Sequence, residues 1–156
     1  MKTEAVQINL WLAWLWILLG FLSGMVLGMF FHGEQWLGGY ASLKRRMYRL
    51  GHISFFGLGV LNLLFVLTVQ NFAPAGALVH VASLAFIIGA VAMPACCVVM
   101  AHFPKAHLIF AVPVVSLIIG GALILTQMFH PPNSVGVAKN SPPVTFNLQP
   151  STSNSK

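Results

Sequence analysis

Apolar positions in this chain come in long blocks, neither alternating in and out nor confined to one stripe of a helix. Charge is absent from 5–33, 50–104 and 106–138. A membrane-crossing helix needs about 20 consecutive apolar residues, so the first and last blocks each predict one crossing. The middle block is too long for one helix and contains QNFAPAG, residues 70–76, whose proline and glycine predict a tight turn. Four spans follow, at about 10–31, 50–69, 78–100 and 108–128. The predicted fold is all-α, an integral-membrane four-helix bundle over 1–130. Residues 131–156 are a Pro/Ser/Asn-rich tail whose composition predicts disorder.

Small and polar residues inside the spans predict how the helices meet. Gly20, Gly24 and Gly28 recur every fourth residue, a spacing that lets a neighbouring backbone approach. His52, Gly59 and Asn62 share a broad face of the second span, which should look into the bundle because polar groups are costly in hydrocarbon. Ala82, Ala85, Gly89 and Ala92 form a small-residue stripe on the third span, and Ser116 with Gly120 a pair on the fourth. Pro94 removes the hydrogen bond to the Ala90 carbonyl and predicts a kink there.

Composition supports the membrane assignment: 58% of residues are hydrophobic and 6% charged, against about 25% charged in soluble domains. The net charge of +6 would suit a nucleic-acid binder. Its placement excludes that reading, because Lys44, Arg45, Arg46 and Arg49, half of all Lys and Arg, sit in one short connection between spans. There the cations set topology and attract anionic lipid headgroups. The positive-inside rule puts loop 32–49 in the cytoplasm and both termini outside. Gly38-Gly39 interrupts any helix in that loop, and Ser42 caps a new one. Leu43, Met47 and Leu50 then oppose the cations, a pattern predicting a short basic interfacial helix before the second span. Trp11, Trp14 and Trp16 suit the opposite membrane-water interface. Neighbouring Cys96 and Cys97 diverge on a helix and form no disulfide framework. The long first block running into basic residues argues against a cleaved leader, and the lack of a glycosylation sequon at Asn133, Asn140 and Asn154 suits a bacterial inner-membrane protein.

Two ligand sets are candidates. Imidazoles from two helices at matching depth can hold haem b, and His52 with His102 is the leading pair, His32 the substitute. Met25, Met29 and His32 on the first span, with Met93, Cys96, Cys97 and Met100 on the third, are soft donors suited to copper(I). Methionine at helical spacing is more often flexible packing material, and cysteine is among the commonest buried residues. Hydrolytic chemistry is poorly supported, since Glu4 and Glu34 are the only carboxylate side chains and there is no Asp for a Ser-His-Asp triad. The sequence therefore predicts a protein without its own catalysis, an accessory or assembly subunit that binds other membrane subunits or copies of itself. A haem b or copper protein in electron transfer or metal handling is the alternative. A small permease, with His52 and Asn62 lining its path, is the third reading.

Overall fold

The computed structural model describes residues 2–72 and 76–129, with Lys2, Thr3 and Ala5 described as backbone only. The predicted tail and His130 lie outside the described residues, as do residues 73–75 of the turn after the second span. Four long helices account for most of the rest: α1 (Lys2–Phe30), α2 (Leu43–Phe72), α3 (Ala77–His102) and α4 (Ala111–Phe129). All four are long and apolar enough to cross a membrane, α4 together with the 3-10 segment Pro104–Phe110 that precedes it. The chain is an integral-membrane four-helix bundle.

Each helix packs on its neighbour in sequence, α1 also touches α3, and α4 rests mainly on α3. The apolar windows of α2 and α3 are 39% and 44% buried, against 11% for α1 and for α4 with its lead-in, so α2 and α3 are the inner pair. The packed core joins Phe65, Val66 and Val69 of α2 to Val79, Ala82 and Phe86 of α3. Val6 and Leu10 of α1 cover it from one side, Leu117, Leu123 and Ile124 of α4 from the other. It occupies the half of the bundle nearest the α2–α3 turn.

The helices extend beyond the predicted spans. Asn9, just ahead of the predicted first span, is helical and fully buried, because it has polar partners on two other helices. Asn9 Nδ2 donates to Asn62 Oδ1 at 2.8 Å, Ser83 Oγ donates to Asn9 Oδ1, and Asn62 Nδ2 donates to the Leu58 carbonyl at 2.8 Å. One polar chain thus ties α1, α2 and α3 together. Trp16, grouped above with the interfacial tryptophans, also turns inward. Its indole Nε1 donates at 3.0 Å to the Ala90 carbonyl, the group that Pro94 leaves without an intrahelical donor. The helix runs through Pro94 without a break, and the carbonyl is satisfied from α1.

The glycine faces divide. Atoms that would crowd a Cβ at Gly20 and Gly24 belong to the rings of Phe56 and His52, so these two glycines receive side chains from α2. Gly28 has nothing within 4 Å. The close backbone approach is at Gly59, where an added Cβ would lie 3.0 Å from the Ala13 carbonyl oxygen. Gly89 meets Leu117 and Ser116, joining the predicted stripes of α3 and α4.

The basic segment forms the opening turns of α2 and no separate helix. Leu37, Gly38 and Gly39 take positive φ of 55°, 85° and 87°, reversing the chain. Ser42 Oγ accepts the Arg45 backbone N–H at 3.2 Å, the N-cap expected from sequence. Lys44, Arg46 and Arg49 are exposed, but Arg45 is fully buried. Its guanidinium lies 3.8 Å from the ring centroid of Tyr40, 4.4 Å from Phe31 and 5.8 Å from Trp36. It donates to the carbonyls of Phe31 (2.9 Å) and Gly33 (3.4 Å), just beyond the end of α1. Helix α1 has no basic residue in its last turn, and Arg45 supplies a cation to its negative end from α2.

Candidate functional site

Opposite the packed core, in the half of the bundle nearest the basic connection, α1, α2 and α3 enclose an apolar cavity of about 430 Å³. That volume lies within the range of roughly 300–1,000 Å³ usual for small-molecule sites. Leu22 and Val26 of α1, Phe55 of α2 and Pro94 of α3 supply much of its wall; His52, Ser23, Tyr48 and Cys97 also line it, and the exposed lining is almost wholly apolar.

His52 is the histidine that lines this cavity, and its seat is built by three features of the sequence. Gly24 leaves room on α1: a Cβ there would lie 2.7 Å from His52 Cε1 and 3.2 Å from Nε2. Phe56, one turn along α2, packs edge-on with a centroid separation of 5.5 Å. Ser23 Oγ is 3.0 Å from His52 Nδ1 and 3.1 Å from the Gly20 carbonyl oxygen. A hydroxyl has one hydrogen. It can serve Gly20 or His52, so the bond to Nδ1 runs in either direction according to the imidazole tautomer.

The other ligand candidates are dispersed. His102 is exposed, its Nδ1 3.1 Å from the Val98 carbonyl and its ring edge-on to Tyr48 at 6.3 Å. It lines a separate cleft with Lys44 and Pro104, so the His52–His102 pair does not share a cavity. His32 is exposed on the connection after α1. Met25 and Met29 lie exposed on α1, Met93 and Met100 are half-buried on α3, and both cysteines are buried. Cys97 Cβ abuts Gly51, and Cys96 Sγ donates to the Ile109 carbonyl at 3.4 Å. Among the described residues no three His, Cys, Asp or Glu side chains are grouped so as to hold a metal ion. Asn62 is committed to the interhelix chain in the other half.

Sequence reasoning singled out His52 but passed over Ser23 and Tyr48. Ser23 carried a readable signal, since it sits beside Gly24 on a turn that must face another helix. Tyr48 did not, because within a basic amphipathic segment it reads as interfacial. No family model, curated protein or solved structure matches this chain.

Proposed function

We propose that this chain is a non-catalytic accessory or assembly subunit of a larger complex in a bacterial inner membrane, with loop 32–49 cytoplasmic and both termini outside. The observation that carries this reading is Gly28. A glycine inside a helix costs about 1 kcal/mol relative to alanine. Gly20, Gly24, Gly59 and Gly89 offset that cost by admitting a neighbour, but Gly28 is exposed and has nothing within 4 Å. It lies on the outer face of α1 in register with exposed Phe21 and Met25. A small residue among large ones on such a face is where a helix of another subunit fits. The interior is consistent with a static role: the Asn9–Asn62–Ser83 chain, Trp16 on Ala90 and Ser23 on His52 all spend their polar groups holding helices together. The exposed Lys44, Arg46 and Arg49 suit the anionic headgroups of the cytoplasmic leaflet.

Native electrophoresis of gently solubilised source membranes tests the proposal. The chain is expected to migrate in a discrete assembly heavier than itself, and Gly28→Leu to shift it to the free position while Val115→Leu, at an exposed α4 position that already carries a large side chain, does not. Migration of the wild-type chain as a free monomer overturns the reading.

A further inference from the structure

The apolar cavity between α1, α2 and α3 and the cleft beside Lys44 are two parts of one groove. On α2, Lys44 of the cleft stands one turn before Tyr48 of the cavity, about 6 Å along the helix axis. On α3, His102 of the cleft is one turn beyond Val98 of the cavity, with its Nδ1 3.1 Å from the Val98 carbonyl. The Tyr48 and His102 rings pack edge-on where the two parts meet. Their chemistry differs. The cavity lining is almost wholly apolar, whereas the cleft is partly polar, carries the exposed cation of Lys44 and, among the described residues, is lined by no carboxylate. Water finds no hydrogen-bonding partners in an apolar cavity, and about 430 Å³ left empty would forfeit packing contacts. Leu22, Val26 and Val98 are exposed on the outer surfaces of α1 and α3, so the cavity opens sideways toward the acyl chains. The cleft lies where α2 begins and α3 ends, at the level of the headgroups. The matching occupant has hydrocarbon in the membrane and a negative group directly beyond it at the interface.

We propose that this groove is a binding site for one anionic phospholipid, with an acyl chain in the cavity and the phosphate beside Lys44. Basic pockets between membrane helices hold such headgroups in this way. The site is distinct from the general attraction of Arg46 and Arg49, which flank Leu50 and Ile53 on another face of α2. By helical spacing, Leu22 and Val26 also lie on the opposite side of α1 from Phe21, Met25 and Gly28. The binding is therefore independent of whether the chain joins a larger complex.

The test is native mass spectrometry of the full-length chain released from nanodiscs of equimolar dioleoylphosphatidylglycerol and dioleoylphosphatidylcholine. One retained lipid per chain is expected, phosphatidylglycerol exceeding phosphatidylcholine about five-fold, the worth of one lysine near an anionic headgroup. Lys44→Gln should keep a bound lipid but bring the two species to equal amounts, while Arg46→Gln leaves the preference as in wild type. Val98→Trp starts from an exposed position and fills the mouth of the cavity, so it should lower retention of both lipids at least ten-fold with helical circular dichroism unchanged. Excess glycerol 3-phosphate, which carries the phosphate without the chains, should displace nothing. Absence of a retained lipid overturns the proposal, as does equal retention of the two lipids by wild type. Equal effects of Lys44→Gln and Arg46→Gln would reduce the site to a diffuse basic patch and overturn it too. Undiminished retention in Val98→Trp would place the lipid elsewhere, and displacement by glycerol 3-phosphate would make the ligand a soluble phosphate; either result is equally fatal to it.

Discussion

Arg45 is the residue whose environment departs most from what its type suggests. A buried guanidinium is costly unless paired, and here two carbonyls and three aromatic faces stand in for a carboxylate, while Nε has no hydrogen-bond partner. The forked shape is what makes this work: a guanidinium can sit in the corner between the Tyr40 and Phe31 rings, which meet at 78°, while two of its nitrogens donate to the end of α1. An ammonium is a compact point charge and cannot do both. Arg45→Lys is therefore expected to destabilise the protein by about 2 kcal/mol, combining a desolvated cation–π contact with a charged hydrogen bond. Arg46→Lys, at an exposed side chain with one long bond of 3.4 Å to the Ala41 carbonyl, should stay within about 0.5 kcal/mol of wild type. Thermal unfolding of the three proteins in the same detergent decides the matter. Equal losses for the two substitutions would show that the cage does no more than a surface charge.

At the scale of the helix, an interior proline is where sequence and neighbours must cooperate. Pro94, inside α3, frees the carbonyl four residues earlier, that of Ala90, whereas Pro113 falls in the first turn of α4, where its missing N–H costs no bond within that helix. The Ala90 carbonyl receives a side-chain donor from another helix, Trp16 Nε1 of α1. In hydrocarbon no water is present to satisfy such a group. Trp16→Phe should thus cost about 1–2 kcal/mol in the wild-type background. In a Pro94→Ala background the backbone N–H at position 94 serves the Ala90 carbonyl, and the same substitution should cost about 1 kcal/mol less. A double-mutant cycle measured by unfolding reports this coupling directly, and strict additivity would separate the two residues. At Pro94 the sequence shows the missing N–H but not the indole that replaces it. Likewise the four crossings are legible in block length and charge alone, whereas the burial of Asn9 is not. Its partners Asn62 and Ser83 lie 53 and 74 residues away, and each is unremarkable until the helices are set side by side.

For the molecule as a whole, the polar bonds are unevenly shared. Helices α1, α2 and α3 are linked by the Asn9–Asn62–Ser83 chain, by Trp16 on Ala90 and by Ser23 on His52. By contrast, α4 is held by apolar contacts around Gly89 and Gly120, and its lead-in by the weak Cys96 thiol bond. Within a membrane the hydrophobic effect does not press helices together, so packing and hydrogen bonds set the order in which they part. Helix α4 is accordingly the element that should open first. Gly89→Leu sharpens the test. A Cβ at that position would already lie 2.5 Å from Leu117 Cδ2 and 3.1 Å from Ser116 Oγ, so the larger side chain must drive α4 outward. Hydrogen exchange in nanodiscs should show α4 amides exchanging at least ten-fold faster in this variant, with α1 unchanged. Asn62→Leu, which leaves Asn9 without its acceptor, should instead loosen α1 while leaving α4 near its wild-type rate. If Gly89→Leu speeds α1 and α4 alike, the four helices open as one cooperative unit and the division into a bonded trio and a docked fourth helix is wrong.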